Sequence, residues 1–245
     1  MLDHGLDQAA GLRRMMAPPP LNVMAFPLSG TGPQRWIARV AHSLRALGRR
    51  PLVVDAARGA VSASFGLNLR HDLIDMLQGR RDFDEVAQAT SDGVHVLRAD
   101  LGIEAFVGSG ASASQLFAGF ARLSHGFDDL LLAMPASEIA CLAGPATCVP
   151  VVSIFPVADG MVKAYRLVKE LAEDFGYRRF ACVVRQSADA AHSQTDHARF
   201  AAACNRFLGV DIELAGCIEG DGTARTLACV AQGLVDATAK PLTLH

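Results

Sequence analysis

From residue 21 onward the chain alternates between short unbroken apolar runs and longer segments whose apolar residues recur every three or four positions. The runs LNVMAF (21–26), PLVVDA (51–56), DDLLLAMP (128–135), CVPVVSIFP (148–156), RFACVVR (179–185) and IELAGCI (212–218) have almost no polar face. They predict strands buried on both sides. GVHVLRA (93–99) alternates its β-branched residues and predicts one more. Between them, 33–48 predicts a helix with Trp36, Ile37, Val40, Leu44 and Leu47 on one stripe and Gly48 at its end. The clearest helical period spans 158–176, with Met161, Ala164, Tyr165, Val168 and Leu171 in line. Further helices are expected over 73–79, 112–125 and 196–209, with a short helical turn over 84–89 and a final helix over 225–239. Strands separated by helices imply right-handed crossovers. The fold class is therefore α/β, a mostly parallel sheet with helices on both faces.

The first 20 residues stand apart. Leu6, Ala9, Ala10, Leu12 and Met16 recur at helical spacing over 4–16, and Pro18, Pro19 and Pro20 then stop any helix and make a stiff spacer. A helix that short is marginal in water, so this segment is expected to order on a partner or on the body of the protein. The organisation is thus an appendage over 1–20 and one α/β domain over 21–245, less regular from about 222. Residues 1–20 lack the apolar centre of a signal peptide, and no window offers the uncharged run a membrane span needs.

With 51% apolar and 6% aromatic residues, the composition suits α/β packing. A net charge of −2 gives no general attraction to nucleic acid or to acidic lipid. The cysteines at 141, 148, 182, 204, 217 and 229 form no C-x-x-C pair and read as reduced core thiols of a cytoplasmic protein. His192 and His197 do not share a helical face, so no metal site is expected.

The junction between the first strand and first helix reads Leu28, Ser29, Gly30, Thr31, Gly32, Pro33, Gln34. A strand, a glycine turn and a helix make the frame of a phosphate-binding loop. Such a loop also needs a lysine for the β- and γ-phosphates and a hydroxyl for magnesium. Pro33 stands where the lysine belongs and Gln34 where the hydroxyl belongs. Pro33 removes a cation and an N–H donor, yet suits the first turn of a helix. A turn with two glycines also serves many α/β proteins that bind no nucleotide. Ser29 and Thr31 have no His or acid at a recognisable spacing and read as turn residues. Arg35 and Arg39 read as the solvated face of the first helix, with Arg35 also placed to meet an anion.

The order and spacing of several segments resemble MinD/ParA-type P-loop ATPases over about 21–222, and within them the flagellar-number regulators FlhG or FleN. The likeness is carried by VAHSLRALGRRPLVVDAARG, DLIDMLQGRRDFDEV, GVHVLRA, HGFDDLLLAMP, VVSIFPVADGMVKAYRLVKEL, RFACVVR and RFLGVDIELAGCIEGD. DQAAGLR, with Asp7, Gln8, Ala9, Leu12 and Arg13, is similar to the D-Q-A-x-x-L-R segment that FlhG proteins carry ahead of their ATPase domain. The resemblance implies that this segment binds an FlhF-type GTPase and stimulates it, with Gln8 contributing to the partner's GTP site. It also implies a core that meets flagellar assembly or transcription factors, and cytoplasmic residence with recruitment to the cell pole or membrane by a partner.

The departures from that family share one direction. Its two loop lysines and threonine become Leu28, Pro33 and Gln34. Its second switch I acid becomes Ala57, although Asp55 stays. Its switch II acid becomes Ala133, and its adenine-contacting Asn becomes Arg185. The family's basic C-terminal membrane helix is not evident. The resemblance therefore implies a pseudo-ATPase that acts by binding and needs no cofactor. The alternatives are a residual ATPase that binds ATP and magnesium and cycles between monomer and dimer, and a MinD-like relative with a role in polar localisation or cellulose secretion.

Overall fold

The computed structural model describes residues 21–28, 34–110, 126–145, 148–186 and 193–239. Its strands are β1 (Asn22–Pro27), β2 (Pro51–Asp55), β3 (Gln88–Ala89), β4 (His95–Arg98), β5 (Asp129–Met134), β6 (Val149–Ile154), β7 (Arg179–Gln186) and β8 (Asp211–Glu219). They form one eight-stranded sheet in the order β3-β4-β2-β5-β1-β6-β7-β8. Only the two-residue β3 runs antiparallel to its neighbour, and all other pairs are parallel. The helices are α1 (Arg35–Ala46), α2 (Leu73–Leu77), α3 (Phe83–Val86), α4 (Asp100–Gly108), α5 (Ala136–Leu142), α6 (Gly160–Glu173), α7 (Ser193–Leu208) and α8 (Ala224–Thr238).

Alternate residues of each strand supply two separate cores, as a sheet covered on both faces requires. On one face Phe26, Val53, Leu131, Val151 and Val183 meet Trp36, Ile37, Val40 and Leu44 of α1 and Leu227, Val230 and Leu234 of α8. On the other, Ala25, Leu52, Leu130, Leu132, Val152 and Cys182 meet α6 through Ala164, Val168 and Leu171 and α7 through Phe200 and Cys204. The unbroken apolar runs thus have a direct cause: neither side of a central strand reaches water.

Two helices escape the hydrophobic pattern. α4 buries only Gly102 and Ile103 along its length. Its start is held by a remote residue: the buried Asp72 carboxylate accepts from Gly102 N at 2.8 Å and Leu101 N at 3.3 Å while capping α2 through Ile74 N. A Cβ on Gly102 would lie 2.6 Å from Leu73 Cβ, so the two helices meet only because that residue has no side chain. α5 has seven residues, too few to show a period. The turn expected over 84–89 is shorter: α3 stops at Val86 and the chain enters β3. The expected helix over 112–125 lies outside the described residues. Leu47, expected in the core, is exposed. The final helix expected over 225–239 is α8, whose Thr223 cap accepts from Thr226 N at 3.2 Å. All six cysteines are free; Cys148, Cys182 and Cys204 are buried, but Cys141 and Cys229 are exposed and do not belong to the core. Burial pushes the Cys148 thiol up to about 12 and Cys204 up to about 11, so both stay unreactive.

α8 lies unusually close to the sheet. A Cβ on Gly233 would fall 2.0 Å from the carbonyl oxygen of Ala215, and one on Gly216 would fall 2.8 Å from Val230 Cγ2. A glycine inside a helix costs about 1 kcal/mol relative to alanine, and here it permits direct backbone contact between α8 and β8.

At the amino ends of the strands, Asp129 is fully buried at the start of β5. Its carboxylate accepts from Arg49 Nε at 2.5 Å and Nη2 at 2.7 Å, and from Asn22 Nδ2 at 3.1 Å. Removing one partner of a buried ion pair leaves a charge without compensation. Arg49→Leu is expected to lower unfolding free energy by about 3 kcal/mol in urea denaturation. Arg50→Leu, which removes the exposed Arg50–Asp128 pair, is expected to leave the urea midpoint almost unmoved.

Candidate functional site

In an open parallel sheet, ligands and partners meet the carboxyl ends of the strands. Here β1, β2 and β5 end side by side, with Asp55 opposite Ala133 and Ala133 opposite Phe26. Asp55 is fully buried. Its Oδ1 accepts from Ala57 N at 3.0 Å, and its Oδ2 accepts from Val61 N at 3.1 Å, Ser62 N at 2.7 Å and Ser62 Oγ at 2.7 Å. A carboxylate has about four acceptor positions, two on each oxygen; the loop after β2 saturates Oδ2 and places one bond on Oδ1. Gln34, the cap residue of α1, donates its backbone N–H to Ala60 O at 3.4 Å, which ties that loop to the helix start. Leu28 donates its N–H to Met134 O at 3.0 Å. Its side chain stands between two clefts.

The first cleft, about 560 Å³, is lined by Leu28, Ala57, Arg58, Asp100, Glu104 and Glu138, among others. Asp100 accepts from Arg58 N at 2.7 Å and from Arg98 Nε at 2.9 Å. That first bond draws Arg58 into the left-handed backbone region, at φ +54°. Glu138 Oε2 is sealed from water with no hydrogen-bond partner. Burial first, and then the negative charges of Asp100 and Glu104, hold its carboxyl above the usual range. The walls therefore carry three acids and one arginine.

The second cleft, about 330 Å³, lies where β1 and β6 separate. These strands pair only over Met24–Val149 and Ala25–Pro150. Trp36, Ser153, Phe155 and Lys163 line the opening, and Lys163 is paired with Asp159 at 2.9 Å. Beyond it, the Arg185 guanidinium stands 5.3 Å from the Phe155 ring centroid with Nε buried and unpartnered. Burial holds Arg185 below the ordinary arginine value, Asp221 pulls it back up, and Arg39 pushes it down. Arg39, expected to face solvent, instead donates Nη2 to Gly222 O at 2.9 Å and pairs with Asp221 at 3.4 Å, so it fastens α1 to the turn before α8.

No protein-family model matches the chain. In sequence it is 26% identical over 223 residues to the antiactivator FleN of Pseudomonas aeruginosa, covering 87% of this chain and 79% of FleN. In structure it superposes on a chain of the MinC:MinD cell division protein complex of Aquifex aeolicus. That match has a TM-score of 0.63 at 17% identity and covers 91% of this chain and 98% of the other. A ParA family ATPase from Chlorobium tepidum gives 0.52 at 14% identity, with 88% and 91% covered. The chain has the MinD/ParA fold.

Within that MinD/ParA frame the structure brings Leu28, Gln34, Asp55, Ala57 and Ala133 together and sets Arg185 apart, at the end of β7. Ser29, Gly30, Thr31, Gly32 and Pro33 lie outside the described residues, as do Asp7, Gln8, Ala9, Leu12 and Arg13. Among the described residues no cluster of His, Cys, Asp and Glu is arranged to hold a metal ion, and no helix is long and apolar enough to cross a membrane. Asp100, Glu104 and Glu138 were not legible as site residues, because the first two sit on α4 and the third on α5, the helices without a clear period.

The sign for Glu138 is definite. Its carboxyl titrates above the ordinary glutamate range, so the ionised form costs stability at neutral pH, and that cost disappears below the unfolded value. Glu138→Gln is expected to raise the urea midpoint at about pH 7.5, with the gain closing at about pH 4. Paired denaturation curves at the two pH values check it.

Proposed function

We propose that the chain is a FleN/FlhG-type regulator of flagellar number and placement that acts by binding other proteins and has lost its ATPase activity. The observation that carries this reading is the relation to antiactivator FleN along 87% of the chain, on a MinD/ParA fold. The chemistry of the carboxyl edge supports the second half. Phosphoryl transfer depends on positioned cations and dipoles around the phosphates. The described positions hold Leu28, Gln34, Ala57 and Ala133. Asp55 commits four hydrogen bonds to its own loop, three of them on Oδ2. The adjoining cleft holds Asp100, Glu104 and Glu138, which repel a polyphosphate. These residues do not fit a magnesium–triphosphate.

In this reading the segment Asp7 to Arg13 docks on an FlhF-type GTPase. Gln8 reaches the partner's GTP site, and Asp7, Ala9, Leu12 and Arg13 hold the helix in place. The core meets flagellar assembly or transcription factors, and the protein is cytoplasmic until a partner recruits it to the pole or membrane. A residual ATPase is the second reading, favoured by the retention of Asp55 at the end of β2 in this fold.

Two measurements separate the readings. Isothermal titration with magnesium-ATP is expected to give no binding heat. Micromolar binding that Gly32→Ala abolishes would establish the ATPase reading instead. Separately, a peptide of residues 1–20 is expected to raise FlhF GTP turnover by about tenfold or more, and Gln8→Ala to remove the effect. Turnover unchanged by the wild-type peptide would refute the docking role of this segment.

A further inference from the structure

Arg39, Arg49 and Arg98 each hold an acid: Asp221 at 3.4 Å, Asp129 at 2.5 Å and Asp100 at 2.9 Å. Arg185, half-buried near the end of β7, is different. Among the described residues it has neither a hydrogen bond nor an ion pair, and its Nε is sealed from water. The acid that acts on it, Asp221, is already paired with Arg39, and its side chain is 97% exposed, so water screens it. A guanidinium drawn partly out of water without a counter-ion is costly. An arriving anion removes that cost.

The guanidinium lies over the Phe155 ring, 5.3 Å from its centroid, which covers one of its faces. Its N–H groups lie in the guanidinium plane, so acceptors meet it edge-on, two at a time. Phe155 also lines the 330 Å³ cleft between β1 and β6. Trp36, Val151, Ala164 and Leu167 give that cleft apolar walls, and Ser153 gives it a hydroxyl. Trp36 is 6% exposed, and its indole N–H is buried with no acceptor. Two unpaired donors thus stand at this end of the sheet. Among the described residues the one buried acceptor atom without a donor, Glu138 Oε2, belongs to a residue of the other cleft.

Charge and size narrow the ligand. Lys163 at the opening is paired with Asp159, and Arg39 with Asp221, which leaves Arg185 as the uncompensated charge beside the cleft. A singly charged head suits one guanidinium. A dianion would gain little more from it and would meet Asp100, Glu104 and Glu138 across Leu28. A planar carboxylate matches the two-pronged edge of the guanidinium. The cleft is at the small end of ligand pockets and is apolar inside, so it suits a compact apolar body.

We propose that Arg185 and the cleft between β1 and β6 form a binding site for a small organic monocarboxylate, with its carboxylate on the Arg185 guanidinium and its apolar body against Phe155 and Trp36. This goes beyond the function proposed above and depends neither on the first 20 residues nor on the fate of magnesium-ATP. A ligand seated there touches the ends of β6 and β7 and the start of α1 together.

Trp36 is the single tryptophan of the chain, so its fluorescence reports on the cleft directly. The test titrates the full chain with phenylacetate and, in parallel, with phenylacetamide, acetate and phenyl phosphate. Phenylacetate is expected to change Trp36 emission with a Kd in the millimolar range or tighter. Phenylacetamide, which has the same shape without the charge, is expected to bind about tenfold or more weakly. Acetate, which lacks the apolar body, is expected to be weaker by a similar factor. Arg185→Gln is expected to bring phenylacetate down to the level of phenylacetamide, with circular dichroism confirming that the variant is folded. The comparison of phenylacetate with phenylacetamide on the unaltered chain decides the matter even if that variant does not fold. Equal binding of those two would reduce the site to an apolar cleft and overturn the proposal. So would equal binding of acetate, phenylacetate binding that Arg185→Gln leaves intact, or no binding at all. Tighter binding of phenyl phosphate than of phenylacetate would assign the head to a phosphate and would also overturn it.

Discussion

The Asp129 carboxylate, fully buried at the foot of β5, holds Arg49 on the approach to β2 and Asn22 at the start of β1. Parallel strands have no hairpin to set their register, and their partners arrive through long crossovers. A side-chain clamp at one end performs that task. With Asn22 and Pro51 both level with Asp129, the three central strands run in step, and Asp55, Ala133 and Phe26 finish level at the far end. The geometry of the carboxyl edge is thus settled four residues away, by an ion pair at the other end of the strands.

A second buried aspartate occupies the opposite end of the sheet, and both of its oxygens accept hydrogen bonds. Asp55 gathers Ala57, Val61 and Ser62 into a fixed loop. That loop is joined in turn to α1 through Gln34 and to α4 through the bond from Arg58 N to Asp100. The bonds of this segment close within the protein. Among the described residues, the buried polar atoms left without a partner are Trp36 Nε1, Glu138 Oε2, Arg185 Nε and Gln186 Nε2.

Much of the architecture was legible because sheet burial leaves a strong trace: LLLAM or ACVV has no face for water, and the strands fell where those runs predict them. α1 and α6 were legible through their amphipathic stripes. α4 and α5 were not, since what starts α4 is Asp72, about thirty residues away, and what lets it pack is the missing side chain of Gly102. The role of Asp129 was hidden for the same reason. An acid before an apolar run reads as a solvated strand start, and only Arg49, 80 positions earlier, makes it a buried one. At the site, the retained Asp55 was legible as a polar strand end, but its four bonds to the loop after β2 were not. Arg39 read as a surface cation because its partners, Asp221 and Gly222, lie beyond the last strand.

The bare contact between Gly233 and the Ala215 carbonyl gives β8 a character that ordinary edge strands lack. An outermost strand usually frays, because solvent competes for it on one side and flexible side chains support it on the other. This one is braced from behind by the spine of a fifteen-residue helix. Its outline is set by that helix, so the edge keeps its shape with no described strand on its outer side.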